Sequence, residues 1–333
     1  MRTRELLELQ NSGHHGINAL FSKAHSAGWD IDRDIDWTAT ISRDDPLVDH
    51  SWVAFGRTPT FQALPETVKN YATRRGLGRM LNILQVGESV AQDVCAKIAL
   101  TVREEDYRNH AAAQAMDEAR HHLAYRRLLE KMDEQPEDID LGTEMMFDAL
   151  LAADAPLELI ATEQFFLESV AMDIFESIRL HARTPLLRDL LTLITRDESR
   201  HMGFGILYVA EWMRTHPLPE RIGFARRWLG QILFSATDQP GPIMLGRAVR
   251  RLHEAGVDRA DALGPQLLRE QQEINAAERA EALSGHRIPQ VMKSARRAGL
   301  LEPDILEALG LSQHPLVRAT LSSERKEERG KSV

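Results

Sequence analysis

Apolar residues recur at intervals of three and four positions along most of the stretch from about 64 to 214, which is the spacing of an amphipathic helix. Proline and glycine interrupt this period and divide the stretch into four long segments. The interruptions lie at the Gly76/Gly78 pair, around Gln135-Pro136, at Asp154-Ala155-Pro156 and at Thr184-Pro185. The pattern therefore predicts four long helices, at roughly 78–101, 104–132, 156–183 and 186–213.

The links between these four helices differ in length. Residues 133–155 are long enough to cross the bundle and include a short helical piece, whereas the other two links are tight turns. One long crossover is the connectivity of the ferritin-like bundles. The sequence therefore predicts an all-α protein with a ferritin-like four-helix bundle over residues 61–215.

The regions on either side of the bundle carry weaker patterns. Residues 1–60 predict an N-terminal helix and then an arm, 28–60, without a clear period; we expect both to pack on the bundle and assign no chemistry to the arm. Residues 216–320 predict further helices of the same domain. These helices are expected at 217–236, 241–255, 260–283, 287–298 and 303–311. The charged tail, 321–333, is predicted to be disordered.

Two short motifs of the bundle occur twice. The segment ESVAQDV, which begins at Glu88, recurs as ESVAMDI from Glu168, and DEARH, which begins at Asp117, recurs as DESRH from Asp197. Both copies are displaced by the same 80 residues. The first helix pair is therefore matched by the second, element for element.

Each of the four helices has one glutamate in its inward stripe. Glu88 interrupts an apolar stripe on the first helix, and Glu168 occupies the same phase on the third. The second and fourth helices carry Glu-x-x-His, which puts a carboxylate and an imidazole one turn apart on one face. Ionised carboxylates in an apolar core are very costly unless they are paired or bind metal. The candidate metal ligands are Glu88, Glu118, His121, Glu168, Glu198 and His201.

Four carboxylates and two imidazoles at one level suit a pair of metal ions. Their formal charge balances two divalent cations, and this distribution over four helices is that of di-iron and di-manganese carboxylate proteins. A single Glu-x-x-His would be weak evidence, because it is more often a surface pair. Glu163 is a rival ligand on the third helix, but it lies about 140° from Glu168 on a regular α-helix. The repeat selects Glu168.

Composition narrows the chemistry further. The single cysteine, Cys95, excludes an internal disulfide, a CxxC site and a thiolate-held iron–sulfur cluster. The formal charge of −9 argues against a general affinity for nucleic acid or acidic membrane. No run of about 18 apolar residues predicts a membrane span, and the N-terminal sequence lacks the apolar region of a signal peptide. We therefore expect a cytoplasmic protein.

The segments DEARH and DESRH resemble the D-E-x-R-H signature of the ferritin-like di-iron oxidoreductases, which include bacterial multicomponent monooxygenases and acyl-carrier-protein desaturases. The resemblance covers about 78–213. It implies an outer set of contacts in which Asp197 orients His121 and Asp117 orients His201, with Arg120 and Arg200 holding the aspartates. The alternative is that both Asp–Arg pairs are solvated surface charges.

The chain length and the self-contained ligand set are also similar to the di-iron N-oxygenases of the p-aminobenzoate type. Those proteins carry an additional histidine one turn before the last Glu-x-x-His, where this chain has Ile194. His122 and His181 are interpreted as surface or packing residues. Tyr125 stands at the spacing of the radical tyrosine in the ribonucleotide reductase small subunit, and we interpret it as a core tyrosine with a hydrogen-bonded hydroxyl.

Helix phase also suggests a substrate pocket beside the metals. Alanines three residues after Glu88 and Glu168 leave space beside the metals, and larger residues could line this space. The larger residues could equally be core residues without contact to a substrate. The candidate pocket residues are Ala91, Gln92, Cys95, Tyr125, Phe165, Ala171, Met172, Phe175 and Gly205.

The leading hypothesis is an O2-activating di-iron oxygenase that hydroxylates or N-oxygenates a small organic substrate. Two iron ions, or manganese with iron, and O2 as co-substrate fit the oxygen-rich donor set. Alternatives are an acyl-carrier-protein desaturase-like oxidase, a radical-generating small subunit of the ribonucleotide reductase kind, and a ferritin-like protein for iron storage or peroxide removal. No flavin or nicotinamide motif is present, so we expect an external ferredoxin or reductase as electron donor. We also expect a homodimer.

Overall fold

The computed structural model describes residues 14–135, 137–235, 242–283 and 288–331. Helices account for nearly all regular structure in these ranges. They are α1 (His15–Ser26), α2 (Pro59–Gln62), α3 (Glu66–Thr101), α4 (Glu105–Lys131), α5 (Leu141–Ala152), α6 (Pro156–Ile160), α7 (Glu168–His181), α8 (Pro185–Thr215), α9 (Leu218–Ser235), α10 (Pro242–Glu254), α11 (Ala260–Leu283), α12 (Gln290–Arg297), α13 (Pro303–Leu309) and α14 (Pro315–Lys331). A π-helical segment, Ala161–Leu167, joins α6 to α7 without a break.

A four-helix bundle forms the centre of the molecule, so the predicted all-α, ferritin-like fold is confirmed. Helix α3 packs along α4, and α7 packs along α8, while α5 lies in the long crossover between the two pairs. The predicted helix starts have local causes. The Thr184 side chain accepts a hydrogen bond from the amide of Leu187 at the start of α8, and Pro185 occupies the first turn.

Helix α3 does not break at the Gly76/Gly78 pair, where the sequence predicted its start. It runs without interruption from Glu66 to Thr101. Side chains of other segments lie directly against these glycines: a Cβ at position 76 would lie 2.5 Å from Arg251 Nη1 and 2.8 Å from Val53 Cγ1. The glycines therefore serve close packing against the helix, and the prediction of a break was wrong.

The segment between α1 and α2 lies on the bundle. Trp29, Ile35, Leu47, Val48 and Phe55 are all buried in this arm. Trp29, Ile35, Leu47 and Val48 belong to the same apolar cluster as residues of α3, α4, α7 and α8. The arm is thus fixed against the bundle by its own apolar side chains.

The helices after α8 form a second apolar core against its C-terminal half. Met202, Ile206, Val209 and Met213 of α8 meet buried residues of α9, α12, α13 and α14 there.

In place of the disordered tail predicted over 321–333, α14 continues to Lys331, and residues 332–333 lie outside the described ranges. The buried residues Leu316 and Val317 fix the start of α14, and good helix formers follow. The predicted helical content of residues 1–13 also falls outside the described ranges.

Among the described helices, none is both long and apolar enough to cross a membrane.

Candidate metal centre

The six predicted ligands meet in the middle of the bundle. Helix α3 contributes Glu88, the start of α7 contributes Glu168, and α4 and α8 each contribute a glutamate and a histidine one turn apart. All six side chains are buried, and His121 and Glu118 are fully inaccessible. The ligands from the two copies of the 80-residue repeat therefore form one cluster, as their positions on the inward faces of the helices predicted.

The cluster divides into two overlapping groups of four. In each group, one donor atom of every residue lies within 4.8 Å of the others. The first group is Glu88, Glu118, His121 and Glu198, and the second is Glu118, Glu168, Glu198 and His201. Glu118 and Glu198 belong to both groups, and each group adds one further glutamate and one imidazole, so the two groups would hold one cation each and share these two carboxylates.

Both imidazoles point Nδ1 into the cluster. His121 Nδ1 lies 2.9 Å from Glu198 Oε1 and 3.2 Å from Glu118 Oε2. His201 Nδ1 lies 2.7 Å from Glu198 Oε2 and 3.1 Å from Glu118 Oε1. The terminal glutamates are farther away, with 3.6 Å from Glu88 Oε2 to His121 Nδ1 and from Glu168 Oε1 to His201 Nδ1. The arrangement is nearly two-fold symmetric, as expected from the repeat.

The opposite nitrogen of each imidazole meets the aspartate of the other helix pair. His121 Nε2 lies 3.2 Å from Asp197 Oδ2, and His201 Nε2 lies 3.2 Å from Asp117 Oδ2. Each aspartate is also held by arginine. Arg120 and Arg200 both contact both aspartates, so the four charges form one closed network between α4 and α8. These are the contacts that the resemblance implied, and all four residues are mostly buried rather than solvated.

The carboxylates of the cluster differ in the direction in which their surroundings shift the pKa. Burial raises the pKa of Glu88 and of Glu168, and the charge of Glu198 adds to this effect. Burial also acts on Glu118 and Glu198, but His201 and the hydrogen bonds from the imidazoles outweigh it and lower the pKa of both groups. The two shared carboxylates are therefore the ones held ionised by the chain itself.

The donor atoms of the cluster fit a pair of metal ions. In the neutral tautomer that donates Nε2–H to Asp197, His121 Nδ1 has no proton to give to the carboxylates around it, so this nitrogen and Glu118 Oε2 are buried without a hydrogen-bond partner among the described residues. Leaving such atoms unpaired in an apolar core costs free energy, and a bound cation removes that cost. Carboxylate oxygens with two imidazole nitrogens are a donor set that iron and manganese accept.

Two residues beside the cluster were given no role by the sequence. Trp29, from the arm, donates its indole Nε1–H to Asp197 Oδ2 over 2.7 Å, and its ring is stacked on His121 with 6.2 Å between centroids. Gln114 donates its amide to Glu118 Oε1 over 2.8 Å and to Glu168 Oε1 over 3.0 Å. Gln114 lies in the inward stripe of α4, whereas no periodic signal connects Trp29 to a residue 168 positions away.

Glu163 lies nearer to the site than the sequence predicted. In the π-helical segment, the amide of Glu168 donates to the carbonyl of Glu163, so residues five apart stack along this turn. The angle of about 140° expected between them on a regular α-helix is therefore wrong. Glu163 is buried, and burial together with repulsion from Glu118 and Glu198 raises its pKa to about 8. It belongs to neither group of four.

A cavity of about 210 Å³ opens beside the cluster. Of the nine predicted pocket residues, Ala91, Ala171 and Phe175 line it. The rest of its wall comes from the crossover helix α5, from the π-helical segment and from neighbouring positions of α3 and α7. Those residues are Ile83, Leu84, Gly87, Thr143, Met146, Phe147, Glu163, Leu167, Val170 and Ile174, and Glu88, Glu168 and Glu198 form the inner end.

The other predicted pocket residues have different surroundings and do not line this cavity. Phe165 is buried in the core between α8 and the C-terminal helices, and Met172 packs against that core. Cys95 is buried and accepts a 3.4 Å hydrogen bond from Gln164 Nε2. Gly205 faces backbone: a Cβ there would lie 2.4 Å from the carbonyl carbon of Gln164. The half-buried Gln92 is absent from the cavity wall.

Tyr125 and the spare histidines lie outside the cluster. Tyr125 is a core residue, as interpreted from the sequence, but its buried hydroxyl has no hydrogen-bond partner among the described residues. His122 Nδ1 lies 3.0 Å from the carbonyl oxygen of Gln85, and His181 Nδ1 lies 2.8 Å from that of Ser177. Ile194, at the position of the additional histidine, is fully buried in an apolar cluster.

Comparison with known proteins gives one family and a set of distant folds. A profile of the family described as P-aminobenzoate N-oxygenase AurF matches residues 10–240. No curated protein sequence gives a significant match. Among solved structures, the R2-like ligand-binding oxidase from Sulfolobus acidocaldarius aligns with 15% identity and a TM-score of 0.46, over 79% of this chain and 90% of that chain. A variant of an R2-like ligand-binding oxidase with an aerobically reconstituted Mn/Fe cofactor aligns with 15% identity and a TM-score of 0.47, over 80% and 94%. At these values the likeness carries no information about chemistry.

Proposed function

The chain belongs to the p-aminobenzoate N-oxygenase family, and from that premise we propose that it is an oxygenase that hydroxylates or N-oxygenates a small organic substrate. Membership makes it a di-metal oxidoreductase. The observation that carries the further proposal is the junction of the two ligand groups with a mainly apolar cavity, because the inner end of the cavity is formed by Glu88, Glu168 and Glu198 themselves. A substrate in this cavity would lie directly against the metal ions.

We propose iron for both metal positions, with manganese and iron as the alternative, and Glu88, Glu118, His121, Glu168, Glu198 and His201 as the ligands. Bound in reduced form, such a pair supplies the electrons that activate O2. Glu118 and Glu198, which belong to both groups of four, would be shared by the two ions, and Glu88 and Glu168 would each serve one of them. We propose an external ferredoxin or reductase as electron donor, because the sequence carries no flavin or nicotinamide motif.

The chain's own residues prepare the site in three ways. Asp197 and Asp117 accept hydrogen bonds from the Nε2–H groups of His121 and His201, which leaves both Nδ1 lone pairs facing the cluster. Gln114 fixes the oxygens of Glu118 and Glu168 from one side. Apolar side chains around the cavity exclude water from the reacting groups, which limits side reactions of a strong oxidant.

The test is metal content followed by product analysis. After anaerobic loading with Fe(II), we expect about two irons per chain, and an optical change when O2 is admitted. With an amine and hydrocarbon panel, a product heavier by one oxygen supports the proposal. A product lighter by two hydrogens indicates desaturation, and iron uptake far above two per chain indicates storage.

A matched pair of variants on helix α8 controls this experiment. Glu198→Gln should lose both metals, because Glu198 belongs to both ligand groups. Glu211→Gln changes a glutamate of the same helix that is paired with Arg214 at the surface, and should retain both metals. Equal metal content in the two variants would contradict the proposed centre. The homodimer and the cytoplasmic location stay predictions.

A further inference from the structure

One side of helix α4 is exposed and uncharged over about four turns. Between Asn109 and Leu123, a stretch that the structure describes in full, the exposed residues are Asn109, Ala112, Met116 and Leu123. Met116 is 68% exposed and Leu123 is 42% exposed. The intervals of three, four and seven positions place these residues in one stripe along the helix, facing away from the buried ligand His121.

The internal repeat shows that the bundle does not require apolar residues on this side. Helix α8 is the counterpart of α4, 80 residues later in the chain. The residues of α8 that correspond to Asn109, Ala112 and Met116 are Asp189, Thr192 and Arg196. All three are exposed, and two of them are charged. The same positions of the same fold therefore accept solvated polar residues, and the apolar side of α4 is explained by contact with a partner.

Helix α3, which packs along α4, adds to this surface. Its exposed residues in the second half of the helix are Ser89, Asp93, Ala96 and Leu100. One of the four is charged, and Leu100 is 67% exposed. A standard protein interface buries about 800 Å² of each partner. The two helices together offer more surface toward that area than α4 alone.

The order of large and small residues on α4 is complementary to itself. Consider two copies of α4, antiparallel, with a two-fold axis midway between Met116 and Ala119. Met116 then lies against the partner's Ala119, and Leu123 lies against the partner's Ala112. Each large side chain meets an alanine, which allows the helices to pack closely. A two-fold interface requires such a match because the same patch serves both copies.

The charges at the ends of the stripe fit the same orientation. Glu105 is exposed in the first turn of α4. Arg126, near the other end, is 55% exposed and lies 3.8 Å from Glu130, which is 70% exposed. In the antiparallel pair, Arg126 lies between its own Glu130 and the partner's Glu105 and can pair with both. Parallel helices would instead bring like charges together at each end.

We infer that the chain forms a two-fold symmetric dimer through the outer side of α4, with α4 antiparallel to the same helix of the second copy. The inference goes beyond the proposed function and does not depend on the metal ions. The occupant of this surface is a second copy because both the pattern of large and small residues and the charges at the ends are complementary to the surface itself.

Sedimentation velocity of the full chain loaded with iron tests the dimer. We expect a species of twice the chain mass of 37.6 kDa. Met116→Arg introduces the residue type that α8 exposes at the corresponding position, so the variant should fold, and its dimer dissociation constant should rise at least ~100-fold. Met145→Arg makes the same change at a methionine of α5 that is 62% exposed, and should leave the constant unchanged.

Two outcomes of this measurement would overturn the inference. A monomeric wild type would mean that another part of the chain or another protein covers α4. Equal dissociation constants for Met116→Arg and Met145→Arg would mean that the dimer forms through a different surface. Circular dichroism of both variants shows whether the change in association occurs in folded protein.

An exchange of the end charges tests the antiparallel orientation. Arg126→Glu and Glu105→Arg each place like charges side by side across the interface, and each should raise the dissociation constant about tenfold. The double variant restores opposite charges at both ends and should return the constant to within about threefold of the wild type. Within one chain the two residues are about 30 Å apart along α4, so the recovery cannot arise inside one copy. Losses that add up in the double variant would overturn the antiparallel arrangement.

Discussion

The indole of Trp29 donates a 2.7 Å hydrogen bond to the same carboxylate oxygen of Asp197 that receives His121 Nε2. Arg120 also contacts that oxygen at 2.9 Å, and its guanidinium lies 4.9 Å from the centre of the Trp29 ring. The arm thus contacts the metal centre through Asp197. Its packing therefore helps to fix the orientation of His121. Burial opposes the charged form of Asp197, but the hydrogen bond from His121 and the nearby arginines dominate and lower its pKa.

Trp29→Phe removes this hydrogen bond and keeps an aromatic ring over His121. Replacing a residue that orients a metal ligand typically changes metal affinity by about 10–100-fold. Trp29 does not contact the ligand His121 through a hydrogen bond of its own but through Asp197. We therefore expect a loss of about tenfold in the affinity of one metal position, measured by competition with a chelator.

Trp37→Phe is the matched control for that measurement. Trp37 also lies in the arm, and its indole Nε1 donates to the carbonyl oxygen of Ile31 over 2.7 Å, away from the metal centre. Its replacement should leave metal affinity unchanged. Equal losses in both variants would mean that the arm acts through general stability rather than through Asp197.

Glu163 and Glu168 provide a test of the ligand assignment within one segment. Glu168 is in the group of four that contains His201, and Glu163 is not. Glu168→Ala should therefore reduce the metal content after anaerobic loading to about one ion per chain, whereas Glu163→Ala should retain about two. Metal analysis of the two purified proteins decides between them, and the reverse result would make Glu163 the ligand.

The ligand positions could be predicted because the bundle is regular where they lie. Glu88, Glu118 and Glu198 occur in uninterrupted α-helix, so counting at the α-helical period places them correctly on the inward face. The 80-residue repeat showed that the first pair of bundle helices matches the second pair, and so identified Glu168 as the counterpart of Glu88. The aspartate–arginine network came from the resemblance to known di-iron proteins and not from spacing.

Other features of the site could not be predicted from helix phase. The π-helical segment changes the residue count per turn, so any angle computed from an α-helical period is wrong across Glu163 and Glu168. The cavity wall depends on where the crossover helix packs, and Met146 and Phe147 have no periodic relation to the ligands. Trp29 reaches Asp197 through tertiary packing of the arm, which leaves no local pattern in the sequence.

Gly205 allows α8 to approach the π-helical segment. A Cβ at this position would lie 2.4 Å from the carbonyl carbon of Gln164 and 2.5 Å from the amide nitrogen of Phe165, and backbone atoms cannot move away cheaply. Gly205→Ala is therefore expected to lower the free energy of unfolding by about 3 kcal/mol, in a urea titration.

Gly203 on the same helix serves as the control for Gly205. A Cβ at Gly203 would meet the flexible side chain of Leu20 at an ordinary 3.6 Å. Gly203→Ala should leave stability unchanged or raise it by up to about 1 kcal/mol, because alanine is the better helix former. A loss of stability in Gly203→Ala as large as that in Gly205→Ala would contradict the role given to the close backbone contact.

His110 makes stability depend on pH in a direction that can be worked out. Its ring is buried, stacks on Phe204 with 4.4 Å between centroids, and has an Nδ1 without a hydrogen-bond partner among the described residues. Burial, reinforced by the charges of His201 and Arg200, lowers its pKa from 6.5 to about 3. The unfolded chain therefore takes up a proton below about pH 6.5 that the folded chain does not accept. The contribution of neutral His110 is fully present above that pH and is lost as the pH falls toward 3.

His110→Phe should remove this dependence while it keeps a ring stacked on Phe204. At pH 5.5, one unit below the unfolded value, protonation of the unfolded wild type costs about 1.4 kcal/mol of stability. Between pH 7.5 and 5.5, the variant should gain about 1.4 kcal/mol relative to the wild type. Urea unfolding of both metal-free proteins at the two pH values measures this difference, in which the titration of all other groups cancels. A constant difference between the two proteins would show that His110 is not held neutral by its surroundings.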